Sequence, residues 1–311
     1  MKENEHKEDE KKISIAASLK SRDTEEWIDL IFYRPLGYQW ALFFRKVGLT
    51  PNAITVAAIV LGMVAGVLFY FEDLRLNVAG ILLLIWANTY DSADGQLARM
   101  TGQSSEMGRI LDGVCGDLWF ITIYVAICLR LTPTWSYGIW IVAAAAGYFH
   151  SRQAAMADYY RNVHLFFIKG KAGSELDRSK EIRKQFSGLS WKGQFTQKLF
   201  LWFYGNYTAS QEKTSPCFQQ LYRYLCDTYG EEAPAQVGRL FRVGSLPLMK
   251  FTNILSFNTR AIVLFFSLLV GLPWIYFIFE LTVMNVLFYY MVQRHETFSN
   301  HLLLILKLNT E

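Results

Sequence analysis

The chain has 311 residues, of which 52% are hydrophobic, 16% aromatic and 19% charged. So apolar a composition excludes an ordinary soluble domain and requires the charges to be segregated from the apolar runs. The formal net charge of +4 makes no case for a nucleic-acid partner, and the four Cys (Cys115, Cys128, Cys217, Cys226) form no CxxC pair, which argues against a zinc site or a disulfide framework.

Residues 1–25 begin rich in Lys and Glu and have no apolar core, so they read as a disordered cytosolic tail rather than a signal peptide. Residues 26–46, EWIDLIFYRPLGYQWALFFRK, mix aromatic and basic residues around Pro35. They predict a broken amphipathic helix in the membrane interface. Apolar runs of about 20 residues follow near 53–72, 77–99, 106–130, 135–160, 260–274 and 276–293. Thr50-Pro51 supplies an N-cap and a proline at the first helical position for the first run. The insert at 163–250 is too long for a plain connection and carries enough apolar periodicity to be partly helical. Gly271-Leu272-Pro273-Trp274 breaks the last apolar block into two helices. The fold class is an all-α integral membrane protein with about six transmembrane helices, an N-terminal interfacial helix and a partly helical cytosolic insert. Its plan is a tail (1–25), the interfacial helix with four spans (26–162), the insert (163–250), and two spans with a C-terminal tail (251–311).

Lys and Arg orient these spans. Nine lie in the first 50 residues and fifteen in 161–260, whereas the connections after spans one and three hold one each, Arg75 and Arg130. Both termini and the 99–109 turn are therefore expected on the cytosolic side, in a multi-pass protein of a bacterial inner membrane.

The stretch DSADGQLARMTGQSSEMGRILDGVCGD, Asp91 to Asp117, then needs an explanation, because carboxylates near a bilayer interior are costly. Asp91 and Asp94 are spaced i, i+3 and share a helix face. Gly95 and Ala98 clear that surface so that a ligand can approach the backbone, and Arg99 adds a fixed positive charge suited to phosphate. Gly102 with Ser104-Ser105 predicts a turn and a new helix start. Gly108 and Asp112 then repeat the small-plus-acidic pattern at i, i+4. Carboxylates clustered on adjacent helices repel unless a cation sits among them, and Mg²⁺ or Mn²⁺ suits oxygen ligands. Two such ions would neutralise a pyrophosphate and stabilise in-line displacement at phosphorus, with a further Asp as general base. The blander reading is a transporter-like or non-catalytic membrane protein with a buried Asp cluster, which leaves the Gly/Ala spacing and Arg99 unexplained.

The string D-x-x-D-G-x-x-A-R-x8-G-x3-D, here Asp91, Asp94, Gly95, Ala98, Arg99, Gly108 and Asp112, followed by Asp117, resembles the signature of the CDP-alcohol phosphotransferase (CDP-alcohol phosphatidyltransferase) family. TPNAIT at 50–55 and the six-helix plan are similar too. The resemblance implies an enzyme of phospholipid synthesis, a homodimer in membrane lipid, that displaces CMP from a CDP-linked donor with an alcohol acceptor. By position, Asp91, Asp94, Asp112 and Asp117 would hold two Mg²⁺ or Mn²⁺ ions, and Asp117 would also be the catalytic base. Asp94, Gly95, Ala98, Arg99 and Gly108 would receive the nucleotide. Six spans fit the branch that uses CDP-diacylglycerol; the alternative is a CDP-choline or CDP-ethanolamine type with a lipid acceptor.

One spacing departs from the signature. Four residues, GVCG, separate Asp112 from Asp117 where the family has three. On a regular helix that turns Asp117 about 140° from Asp112, so a one-residue π-bulge between them is expected to restore the face. For a phosphorylated acceptor, Arg152 is the candidate ligand, because it lies within an apolar run. Arg161, Arg260 and Arg294 read singly as interface anchors, and His150 and His295 as structural residues.

Overall fold

The computed structural model describes residues 21–103, 106–230 and 233–308, and of residues 106, 107, 109, 110, 112 and 172 only the backbone. Most of the expected tail and the Ser104-Ser105 turn lie outside the described residues. The regular structure among the described residues is helical throughout. The chain divides into two compact units, one of residues 1–148 and 258–281, the other of residues 149–257 and 282–311.

In the first unit a π-helical turn, Asp29–Tyr33, runs directly into α1, Arg34–Val47. The winding changes where Pro35 removes a backbone donor, and the helical path continues through it instead of breaking. Tyr33, Gly37, Ala41 and Phe44 are buried, while Trp27, Ile31, Phe32, Leu36, Phe43 and Val47 are exposed, so the segment is apolar on two faces. The buried face packs on α3, where Trp40 and Phe44 meet Tyr90 at ring distances of 5.3 and 5.2 Å. An outward apolar face on a helix of this kind suits the bilayer interface.

Helix α2, Pro51–Leu68, opens as its sequence predicts: Thr50 Oγ1 accepts from Ala53 N at 3.4 Å, and Pro51 takes the first helical position. It packs against α3, Leu74–Thr101, and α4, Glu106–Trp135. Small residues permit that close approach. A Cβ on Gly62 would lie 2.2 Å from the Trp119 indole, and one on Gly66 would lie 3.1 Å from Ile123 N. Trp119 Nε1 donates to Ala58 O at 3.1 Å, so the indole is pinned across the α2 stripe. Membrane helices associate through such small-residue seams because lipid gives them no hydrophobic drive.

The unit is completed by the start of α5, Gly138–Lys169, and by α11, Phe257–Leu269, and α12, Trp274–Leu281. Gly271, at φ 75°, makes the predicted turn between the last two. Arg260 corrects the sequence reading. It is not an interface anchor but 1% exposed, ion-paired with Glu280, itself fully buried. Glu280 was not singled out from WIYFIFEL.

The second unit holds the rest of α5, then α6 (Ser179–Gly188), α7 (Phe195–Thr214), α8 (Pro216–Tyr229), α9 (Ala235–Ser245), α10 (Met249–Ile254) and α13 (Val283–Leu308). The insert is thus helical for most of its length. Polar contacts fix its helices to α5 and α13. Glu296 accepts from the Cys217 and Phe218 amides at 2.6 and 3.4 Å, capping α8 from a different helix. His295 stacks on Tyr160 at 4.0 Å and meets Thr252 Oγ1 at 3.2 Å, a structural role as expected.

Four stretches among the described residues are long and apolar enough to cross a membrane: Pro51–Leu68, Gly113–Trp135, Ala235–Leu269 and Trp274–Leu308. The other two expected spans coincide with α3 and α5. At 28 and 32 residues these helices exceed the length a bilayer requires, but polar side chains crowd their second halves.

Candidate active site

The motif stretch from Asp91 occupies the last three turns of α3, and its rotation is set from behind. Ser92 and Gln96, the variable positions of the motif, are buried against the N-terminal segment. Gln96 Nε2 donates to Arg34 O at 3.0 Å and to Ser92 Oγ at 3.3 Å; Arg34 Nη1 donates to Ser92 Oγ at 3.4 Å. A Cβ on Gly37 would lie 2.8 Å from Ser92 Oγ, so α1 crosses there at backbone distance. Glu25 grips the other edge of Arg34, accepting from Nε and Nη2 at 3.0 Å each. Asn258 Nδ2 joins α11 to this segment, donating to Glu26 Oε2 and Asp29 Oδ1 at 2.9 Å. Sequence reasoning did not select Arg34, Ser92 or Gln96. The signal was available in Gln96, an amide between motif residues on a helix that has no free polar face to spare.

With the back of α3 so fixed, its front carries Asp91, Asp94, Gly95, Ala98 and Arg99. Asp94 is 3% exposed and Asp91 half-buried. A Cβ on Gly95 would meet Arg99 Nη1 and Nη2 at 3.4 and 3.5 Å, so the guanidinium lies across the bare backbone of Gly95 one turn earlier. Arg99 itself is exposed. A positive, planar group above a glycine, on the helix that carries Asp91 and Asp94, is chemistry suited to phosphate. The helix then ends at Gly102 in the left-handed conformation, φ 66°. Gly108 lies in the first turn of α4, partly buried, and Asp112 one turn later. The Asp112 side chain lies outside the described residues.

The expected bulge is absent. Residues 106–135 form one α-helix, with α-helical winding throughout Asp112–Asp117. The extra residue of GVCG is not absorbed locally, because an intact i→i−4 ladder costs less in a bilayer than one with a displaced turn. Asp117 is exposed and stands about 140° around the helix from Asp112. Arg152, the candidate acceptor ligand, is engaged within the protein. Its guanidinium donates to Ser210 Oγ and, at 2.7 Å, to Thr214 Oγ1, tying α5 to α7. Arg161 likewise donates to Asn253 Oδ1 at 3.2 Å and to Ser256 Oγ.

Among the described residues, no group of three His, Cys, Asp or Glu side chains is placed to hold one metal ion. The donor set nevertheless has the right chemistry for a hard divalent cation: carboxylate oxygens one helical turn apart, one of them buried, and no sulfur or imidazole on that face.

Known proteins are similar to this chain over the stretch that includes the motif. Residues 48–168 match the CDP-alcohol phosphatidyltransferase family model. The chain is 33% identical over 98 residues to the bifunctional IPC transferase and DIPP synthase of Aquifex aeolicus, a match covering 32% of this chain and 22% of that protein. It is 35% identical over 90 residues to the archaetidylinositol phosphate synthase of Pyrococcus horikoshii, covering 29% and 46% respectively. The matched stretches thus span less than half the length of either relative. The matched span includes α2, the whole of α3 and every acidic residue of the motif, so the similarity to the CDP-alcohol phosphatidyltransferase family lies in the stretch 48–168 that carries the candidate site.

Proposed function

We propose that the chain is a membrane transferase that displaces CMP from a CDP-linked lipid with an alcohol. The observation that carries this reading is the front of α3: two carboxylates one turn apart, a bare glycine, and the Arg99 guanidinium lying over it. Arg99 would take up charge on the diphosphate of the donor, and Gly95, Ala98 and Gly108 would leave room for the nucleotide against the backbone. Asp91, Asp94 and Asp112 would hold Mg²⁺ or Mn²⁺. Such ions, when bound, neutralise the pyrophosphate and stabilise in-line displacement at phosphorus. The acceptor hydroxyl must lose its proton as it attacks, and we assign that proton to Asp112 in place of Asp117, whose position on a regular helix turns it away. Burial of α3 against α1 and α2 supplies rigidity, which a positioned displacement requires.

A lipid-bearing donor such as CDP-diacylglycerol is favoured over a CDP-amino alcohol by the six-span plan and by a relative whose name describes an archaetidylinositol phosphate synthase. That name also puts inositol phosphate first among acceptors. Arg152, engaged by two hydroxyls, is not needed in this reading. The motif face would open to the cytosol, as the Lys and Arg bias favours.

The test is CMP release by purified protein given CDP-diacylglycerol, Mg²⁺ or Mn²⁺, and in turn inositol phosphate, inositol, serine and glycerol phosphate. Metal-dependent release with one acceptor supports the proposal. Release only from CDP-choline or CDP-ethanolamine with diacylglycerol would move the chain to the other branch, and no release from any donor would refute it.

A further inference from the structure

The insert, nearly all of which lies beyond the family match, carries a feature that the transferase reading does not use. From Ile182 to Gln211 the chain holds four basic residues, eight aromatic rings and no acidic residue. Helices α6 and α7 pack together across this stretch, with Ile182 Cγ2 3.3 Å from where a Cβ on Gly205 would lie. Their connection is closed from inside. Lys198 is buried; its Nζ donates to Leu189 O at 2.7 Å and sits 4.7 and 5.1 Å from the Phe186 and Trp191 ring centroids. Phe186, Trp191 and Phe195 continue as a chain of ring contacts at 6.2 and 5.7 Å. The tip is thereby built and held, while its outer side is exposed among the described residues.

That outer side is apolar and basic at once. Trp191 is 49%, Phe195 58%, Trp202 48% and Phe203 60% exposed. Phe195, Trp202 and Phe203 fall at i, i+7 and i+8, one stripe of α7. Arg183, Lys184 and Lys192 are exposed around them. The opposite end of α7 is anchored: Gln211 Nε2 donates to Ala155 O at 2.8 Å, beside the Arg152 contacts to Ser210 and Thr214. The hairpin therefore projects its aromatic end from a fixed base.

We infer that the α6–α7 hairpin docks this aromatic and basic tip onto the acidic lipid headgroups of the bilayer. Trp and Phe seat at the headgroup level, and Lys and Arg beside them are drawn by the negative surface potential. The tip, residues 182–211, carries charge of one sign, complementary to anionic lipid, while the acidic Asp177, Glu181 and Glu212 lie outside this stretch. The same unit contains α13, part of the apolar stretch Trp274–Leu308, so the hairpin is tethered to a membrane-embedded helix and docks at high effective concentration.

The experiment is amide hydrogen exchange on the full chain in nanodiscs, reading the peptides between Phe186 and Leu199. Discs of phosphatidylcholine alone are compared with discs that also contain phosphatidylglycerol. Exchange at the tip is expected to slow about five-fold or more in the acidic discs. Lys184→Gln with Lys192→Gln is expected to erase that lipid dependence, and Trp191→Ser with Phe195→Ser to raise exchange in both discs. Unchanged circular dichroism of each variant keeps the comparison valid. Equal exchange of the wild-type tip in the two discs would overturn the inference. So would protection that grows with disc concentration, which would mark a second copy as the occupant, or lipid dependence that survives the double Lys substitution.

Discussion

Arg260 of α11 and Glu280 of α12 face each other as an ion pair inside the first unit, Nη1 to Oε2, with 1% and 0% of their side chains exposed. The ring of Tyr276, fully buried, packs beside them, 5.7 Å from that of Tyr124. Both charges lie in helices of apolar composition joined by the turn at Gly271. An isolated charge there would be costly, so each residue makes the other tolerable.

Removing one partner should expose that cost. Glu280→Leu is expected to lower stability by about 3–5 kcal/mol, because it strands a buried guanidinium. Arg260→Met combined with Glu280→Leu should recover most of the loss. Denaturant unfolding in detergent measures both. A double variant as unstable as the single one would mean that the pair itself is required.

Asp94→Asn should reduce CMP release by about 100-fold or more while leaving the melting temperature within a few degrees, because the amide keeps shape but loses the ligand charge. Wild-type turnover at the same Mg²⁺ concentration would remove Asp94 from the metal site.

The unbroken helix through Asp112–Asp117 sets these two positions about 140° apart, where the family signature spaces its last two Asp by one turn. Asp117→Ala should cost no more than about three-fold in kcat, whereas Asp112→Ala should cost about 100-fold or more. Should Asp117→Ala prove the more damaging, proton transfer belongs to Asp117 and the assignment made for Asp112 is wrong.

Gln96 acts from behind the site. Gln96→Leu removes its bonds to Arg34 O and Ser92 Oγ, and is expected to destabilise the chain by about 1–3 kcal/mol through the acceptors it leaves. Proteolysis within residues 21–33 should quicken in parallel. Gln96→Glu, which can still reach Ser92 but cannot donate to Arg34 O, should not restore the wild-type rate. An unaltered digestion pattern would show that α1 is held by its aromatic contacts alone.

Gly62→Ala tests the seam between α2 and α4. The added methyl would lie 2.2 Å from the Trp119 indole, which is buried and hydrogen-bonded to Ala58 O. The ring must move, at an expected cost of about 1–3 kcal/mol. A Trp119→Leu background should relieve part of it. A thermal scan of the single and double variants decides the matter.

Much of this molecule was legible in one dimension. The Thr50-Pro51 start, the Gly271 turn, the helical insert and the all-helical plan follow from local rules: capping, proline and glycine geometry, and the length of apolar runs. The grouping of Asp91, Asp94, Gly95, Ala98 and Arg99 was equally legible, since residues three or four apart share a helix face in any fold. What tertiary structure decided was everything that depends on a partner distant in sequence. Arg260 resembled an interface anchor until Glu280, twenty residues on, was found against it. The contacts of Arg152 with Ser210 and Thr214, about sixty residues on, could not be read from its apolar run. Gln96 falls between motif residues, and only the fold brings Arg34 O to 3.0 Å from its amide. The Asp112–Asp117 spacing was visible in sequence, but its resolution was not: helix winding there is set by a whole ladder of hydrogen bonds and by packing along α4, and the ladder stayed regular. Periodicity assigns a residue to a face; only the packed chain determines what that face meets.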